Sequence, residues 1–241
     1  MISTYKFQGK IKIYSDGADR AQILEMNGNP KIAGITTNPS LMRKAGVTDY
    51  EGYCREILSS VTEKPISFEV FADEIAEMKR QALAIAKWGK NIYVKIPITN
   101  SLGESTLSLV KELSHEGVKL NVTALFTIEQ VQGTCDAVKG GAGALVSVFA
   151  GRLADTGVDP MPLMRASKAI CVAAGKDVEL LWASTREVYN IVQAEEAGCD
   201  IITAPADIIK KMSGFGKTAI EMSLDTVKTF KADSEAAGFR L

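Results

Sequence analysis

A single histidine, His115, occurs in the 241 residues. It lies in the polar run Glu112–Gly117, the pattern of a solvated helix end, and one histidine leaves a His-ligated catalytic metal without its ligand set. Cysteine is also sparse. Cys54, Cys135, Cys171 and Cys199 are widely separated and no two have CxxC spacing, which argues against a zinc knuckle or a dithiol motif and leaves reduced core residues. Charge of one sign is lacking too: 28 basic residues face 29 acidic ones, net −1, with no basic block to attract nucleic acid or an anionic membrane. No apolar stretch is long enough to span a bilayer, and Met1–Lys6 lacks the apolar run of a signal peptide, so a cytoplasmic protein is expected. No linker or low-complexity segment divides the chain, which reads as one domain over 1–241.

What is present is repetition. Eight short β-like runs recur at Ile11–Ser15, Ile32–Thr36, Pro65–Val70, Asn91–Ile96, Val118–Ala124, Ala144–Phe149, Val178–Ala183 and Asp200–Ala204. Helical periodicity fills intervening stretches such as Asp73–Trp88, Gly103–Glu116, Thr127–Val138, Pro160–Ala174 and Thr185–Ala197. Strand and helix alternating eight times predict an α/β fold, a single (β/α)8 barrel. A doubly wound open sheet is the alternative, but Asp16–Asp19 is not the Gly-rich phosphate loop such a sheet carries after its first strand. The glycines of Lys139–Ala144 read as a helix stop. A further helix over about 217–239 carries Ile220, Leu224, Val227 and Phe230 near one face, suited to closing the barrel or docking on a neighbouring subunit.

Within the fourth run, Lys95 interrupts apolar sequence. Burial disfavours a charged amine, and an uncharged amine is a nucleophile toward carbonyls. Taken alone, such a lysine more often snorkels from a strand end or pairs with a carboxylate. Its neighbours decide otherwise. Side chains alternate faces along a strand. Ile66, Phe68 and Val70 oppose Ser67 and Glu69; Ile92, Val94 and Ile96 oppose Tyr93 and Lys95; Leu120, Val122 and Ala124 oppose Asn121 and Thr123; Val146 and Val148 oppose Ser147 and Phe149. Asp16 ends the first run and Asn38 follows the second, so Asp16, Asn38, Glu69, Lys95, Asn121, Thr123 and Ser147 should converge on the barrel mouth. Polar groups from six strands are costly to bury as structure alone, and their convergence marks a functional site. Arg152, three residues beyond Phe149, and Arg186, just after the seventh run, suit a tetrahedral oxyanion; a surface pair of Arg152 with Asp155 is the competing reading.

These residues resemble the transaldolase family, in particular its short members that include fructose-6-phosphate aldolases. The resemblance runs from about Ile13 to Met212 and rests on Gly34-Ile-Thr-Thr-Asn-Pro-Ser40, Val94-Lys-Ile-Pro97, Asn121-Val-Thr123, Phe149-Ala-Gly-Arg152 and Ala183-Ser-Thr-Arg186. It implies a class I, metal-free and cofactor-free enzyme that transfers dihydroxyacetone between sugar phosphates. Lys95 would form the Schiff base, Asp16 would move the proton of the C4 hydroxyl, and Glu69 with Thr123 would hold a shuttling water. Asn38, Asn121 and Ser147 would bind dihydroxyacetone hydroxyls, with Phe149 lining the substrate pocket. Thr36, Ser40 and Ser67 would support them, and Arg152, Ser184 and Arg186 would hold the terminal phosphate. The aldolase subgroup carries tyrosine where Phe149 stands and glutamine where Glu69 stands, which favours transfer over release of free dihydroxyacetone. The resemblance also implies a homo-oligomer, a pentamer or decamer.

The chain departs from the family in three places. Ser15-Asp-Gly-Ala-Asp19 lacks the usual threonine after the aspartate, Trp182 replaces a smaller residue, and Thr185 stands where an aromatic is usual. By strand parity Trp182 shares a face with Ser184 and is expected to shape the pocket. The natural ketose, and whether its anion is phosphate or another tetrahedral group such as a sulfonate, stay open.

Overall fold

A computed structural model describes residues 6–241. Eight parallel strands close into a barrel in chain order: β1 (Lys12–Asp16), β2 (Ile32–Thr36), β3 (Ile66–Glu69), β4 (Ile92–Pro97), β5 (Leu120–Leu125), β6 (Ala144–Val148), β7 (Val178–Trp182) and β8 (Ile201–Ala204), with β8 pairing back onto β1. Each expected run overlaps one strand, and β1, β4 and β5 each end one residue beyond their run. The architecture is a (β/α)8 barrel with a C-terminal helix.

Helices follow the strands: α1 (Arg20–Gly28), α2 (Pro39–Lys44), α3 (Tyr50–Ser60), α4 (Ile75–Ala86), α5 (Leu107–His115), α6 (Ile128–Val138), α7 (Ala150–Ala154), α8 (Met161–Ala174), α9 (Tyr189–Glu196), α10 (Ala206–Lys210) and α11 (Ala219–Ala236). The five stretches with helical periodicity hold α4, α5, α6, α8 and α9. The first three helices show why the others are less legible. In α1 only Ile23 and Met26 are buried, and in α2 only Met42, so neither builds a broad apolar stripe. Caps start them instead: Asp19, Asn38 and Asp49 each accept a backbone N–H of the first turn of α1, α2 and α3.

Outward strand residues are mostly apolar where the helices cover them, buried Ser15 being an exception. Ile66, Phe68, Val94, Ile96, Val122, Val146 and Val148 have no measurable exposure. Each such side chain contributes about 1.5–3 kcal/mol relative to an exposed one. Inside the barrel, Tyr14, Leu145, Leu181, Ala183 and Ile201 form a second cluster, flanked by Ala33, Tyr93 and Phe149. Gly34 makes room for it, since a Cβ there would stand 2.5 Å from the Tyr14 ring. This plug closes the barrel below the polar residues and leaves the C-terminal mouth to them.

Two compact units make up the chain: the barrel up to Ile209, and Lys210–Leu241. The second unit holds a 3-10 turn (Lys211–Gly214) and α11, whose Thr218 and Glu221 form a reciprocal capping box. No residue of α11 is buried, and Ile220, Leu224, Val227 and Phe230 are all exposed. No helix among the described residues is long and apolar enough to cross a membrane.

Candidate active site

The β3–β4 register sets Glu69 beside Lys95, and the β4–β5 register sets Lys95 beside Asn121. All three sit on the inward face that parity assigned them. Lys95 is only 6% exposed. Its Nζ lies 3.3 Å from Glu69 Oε2 and donates to the Thr37 carbonyl at 3.1 Å. An amine fixed in this way, with a carboxylate at hand, has the placement that a nucleophile toward a carbonyl needs.

Asp16 ends β1 on the same cavity. Burial pushes its carboxyl above the ordinary value, against the opposing pull of the Lys95 charge and of a hydrogen bond from Thr36. That bond, Thr36 Oγ1 to Asp16 Oδ1, measures 2.7 Å. With its one proton on Asp16, Thr36 accepts from Thr203 Oγ1 at 2.5 Å, so a hydroxyl relay from β8 through β2 orients the carboxylate. Glu69 is likewise raised, burial again being the largest cause. The site thus holds two carboxyls that keep their protons more tightly than free carboxyls do, the direction of shift that suits general acid–base chemistry.

Along β5 and β6 the polar set continues. Ser147 Oγ donates to Asn121 Oδ1 at 2.6 Å, and Asn121 Nδ2 donates to Ser67 Oγ at 3.0 Å. Ser67 therefore stands behind Asn121 and fixes its amide orientation. Thr123 is 2% exposed, and its Oγ1 has no hydrogen-bond partner among the described residues. It lines the cavity, so its free hydroxyl is available to a water or substrate. Local backbone geometry explains its aim. The β5–β6 register slips between Val122 and Leu125, and Ala124 takes a left-handed φ of 62°. Such a conformation in a residue with a side chain costs about 1–3 kcal/mol and clusters at functional sites.

The same device recurs on β7. Ser184 takes φ 63°, and this turn breaks the parity that would have put Trp182 and Ser184 on one face. Leu181, Ala183 and Ser184 line the cavity; Trp182 is fully buried away from it, and its indole N–H has no partner among the described residues. The expectation that Trp182 shapes the pocket is corrected accordingly. Thr185 turns inward and donates to the Thr203 carbonyl at 2.6 Å, tying the β7 end to β8.

Of the residues singled out from sequence, Asp16, Thr36, Asn38, Lys95, Asn121, Thr123, Ser147, Phe149, Arg152, Ser184 and Arg186 line one cavity. Glu69 reaches it through Lys95. Ser40 does not belong: it is exposed on the first turn of α2, where a helix start rather than the site placed it. Asn38 does double duty, its Oδ1 capping α2 at 2.9 Å. Arg152 lies over the Phe149 ring, 5.1 Å from guanidinium carbon to ring centroid. The sequence reading did not include Thr203, though its parity with Ile201 marks it as inward, nor Tyr50, whose hydroxyl bonds both the N–H and the carbonyl of Glu69.

The family model described as Transaldolase/Fructose-6-phosphate aldolase matches residues 13–241. This chain belongs to that family. Among curated transaldolase-family relatives, the probable transaldolase of Dehalococcoides mccartyi is 35% identical over 84% of this chain and 90% of its own length. The probable transaldolase of Rhizobium meliloti is 38% identical, with coverage of 84% and 88%. The probable transaldolase 2 of Listeria monocytogenes is 36% identical at the same coverage. A solved structure titled Native KDPGal structure superposes with a TM-score of 0.54 at 13% identity, covering 97% of this chain and all of that one. At that identity it speaks for the barrel alone. The transaldolase/fructose-6-phosphate aldolase membership accords with the polar set at the mouth, which parity alone had already assembled around Lys95.

Proposed function

We propose that the chain is a class I, metal-free transaldolase that moves a dihydroxyacetone unit from a ketose phosphate to an aldose phosphate. The observation that carries this is the buried Lys95 amine, 3.3 Å from the Glu69 carboxylate in a cavity that Asp16 also lines.

The geometry supports the following steps. Lys95 Nζ adds to the C2 carbonyl, and Glu69 with a water on Thr123 moves the protons that let hydroxide leave as water. In the resulting iminium, Asp16 takes the C4 hydroxyl proton. The C3–C4 bond breaks, its electron pair flows into the iminium, and the shortened aldose leaves. The enamine carbon then attacks the acceptor aldehyde, Asp16 returns its proton to the new hydroxyl, and water hydrolyses the imine. Asn38, Asn121 and Ser147 bind dihydroxyacetone hydroxyls meanwhile, and Arg152, Ser184 and Arg186 receive the terminal anion. Transfer requires that the enamine not be protonated before the acceptor arrives. Phe149 at the cavity wall has no hydroxyl with which to order a proton-donating water, which favours transfer over a fructose-6-phosphate aldolase-type release of dihydroxyacetone.

Borohydride reduction in the presence of fructose 6-phosphate tests the reading. The expected result is a stable adduct on the peptide containing Lys95. No adduct there with any ketose, phosphorylated or sulfonated, overturns it. The apolar stripe of α11 supports a homo-oligomer such as a pentamer or decamer. Light scattering coupled to size exclusion checks this, and a monomer mass refutes it.

A further inference from the structure

Asp155 stands outside every role assigned so far. It follows α7, one turn beyond Arg152, and its carboxylate takes the side edge of Arg186: Nε donates to both oxygens at 3.1 Å and Nη2 to Oδ2 at 2.5 Å. We infer that Asp155 is a positioning residue for the anion site, holding Arg186 by one edge of its guanidinium so that the other edge faces the substrate's tetrahedral anion. The inference rests on the proposed reading of the cavity as a ketose site.

An exposed ion pair is by itself weak, and this one is about half exposed on both partners. Three features set it apart. First, Arg186 lines the cavity together with Arg152 and Ser184. Second, the pairing is one-sided. Arginine carries five N–H groups in a planar fork, and Asp155 engages Nε and Nη2, leaving the Nη1–Nη2 end, the edge best suited to two oxygens of a phosphate or sulfonate.

Third, the backbone beneath the pair is locked. Gly151 N–H donates to the Ala183 carbonyl at 3.4 Å, and a Cβ at Gly151 would fall 1.6 Å from the Ser184 carbonyl oxygen. Arg186 N–H donates to Asn190 Oδ1 at 2.9 Å. The short helix α7 is thereby pressed against the Ser184 turn, and it delivers Arg152 and Asp155 as a unit. Arg152 is oriented by Phe149, Arg186 by Asp155, and the two cations are separately supported. Two guanidinium groups against one carboxylate still leave the rim net positive, so the anion is attracted rather than excluded.

The test uses the intact protein with Asp155→Ala and Asp155→Asn. Isothermal titration with inorganic phosphate should show a dissociation constant raised about tenfold in D155A, and less in D155N, which keeps one acceptor oxygen. In turnover, D155A should raise KM for fructose 6-phosphate about tenfold with kcat within about twofold, while kcat/KM for unphosphorylated fructose moves far less. A merely structural role would depress both donors together. Unchanged or tighter phosphate binding overturns the inference, because it makes Asp155 a competitor for Arg186 or a bystander. D155N, which preserves volume, carries the measurement should D155A fail to fold. If no ketose is ever trapped on Lys95, the reading of the reaction falls, yet phosphate titration still judges Asp155.

Discussion

Glu69 and Lys95 are register partners on adjacent strands, and their charged atoms lie 3.3 Å apart inside the barrel mouth. The pairing has two consequences for chemistry. It supplies a proton acceptor to an amine that must lose a proton before attack. It also places a carboxyl, raised by burial, where carbinolamine dehydration needs an acid. Glu69→Ala should therefore slow imine formation about a hundredfold, the usual size of a lost general acid–base group. Rapid-quench borohydride trapping with fructose 6-phosphate reads it directly. The final amount of Lys95 adduct should approach that of the parent, reached late; an unaltered rate removes Glu69 from the step.

Asp16, the proton carrier of the proposed mechanism, is held in the site at a cost in stability. Its folded-state carboxyl lies above the ordinary value because burial outweighs Lys95 and Thr36. A raised carboxyl means that the folded protein holds its proton more tightly than the unfolded chain. Stability therefore falls as pH rises from the ordinary carboxyl range through the raised value. Asp16→Asn removes that penalty. At pH 7 its melting temperature should exceed the parent's by about 2–4 °C, the equivalent of about 1 kcal/mol in a chain of this size. The gap should close as pH drops below the ordinary carboxyl range. Turnover should fall about 10²–10⁴-fold while the Lys95 adduct still forms. A destabilised Asp16→Asn at neutral pH would contradict the burial argument.

Phe149 bears on the fate of the enamine. Phe149→Tyr puts a phenol at the cavity wall beside Arg152. Dihydroxyacetone release from fructose 6-phosphate without an acceptor should rise at least several-fold, at the expense of transfer to an added aldose phosphate. A coupled assay for free dihydroxyacetone measures it. If the parent already releases dihydroxyacetone steadily, the lyase reading replaces the transferase one.

The barrel was legible because its strands alternate cleanly. Period-two patterning alone places Glu69, Lys95, Asn121, Thr123 and Ser147 on the inward face. The same rule failed at Trp182 and Ser184, because Ser184 is itself left-handed and turns its side chain to the other face. Left-handed φ at a serine leaves no mark in composition, and neither does the β5–β6 register slip beside Thr123. Pairing between distant residues was equally hidden. Local spacing offered Arg152 with Asp155, whereas the carboxylate instead takes Arg186, thirty-one residues on. Ser40 entered through a motif shared with a family, and the motif there serves the start of α2. Periodicity reports faces of regular elements; it is silent on the segments after β6 and β7, which carry Arg152, Ser184 and Arg186.

Gly151 is where fold and anion site meet most closely. A Cβ there would overlap the Ser184 carbonyl oxygen and also press on Arg186 Cγ at 3.1 Å. The nearest obstacle is backbone, which cannot swing aside as a side chain does. Gly151→Ala must therefore push α7 away from the Ser184 turn, and overpacking of this kind costs about 1–3 kcal/mol. The melting temperature should drop by about 2–12 °C, taking 2–4 °C per kcal/mol. The displaced helix carries Arg152 and Asp155 with it, so KM for an anionic ketose should rise more than KM for unphosphorylated fructose. Lys95, Glu69 and Asp16 stand on β4, β3 and β1, away from the displacement, so the borohydride adduct should still form at saturating fructose 6-phosphate. Loss of the adduct at saturation with the barrel still folded would show that α7 acts on the imine step itself, and the separation between anion binding and chemistry would not hold.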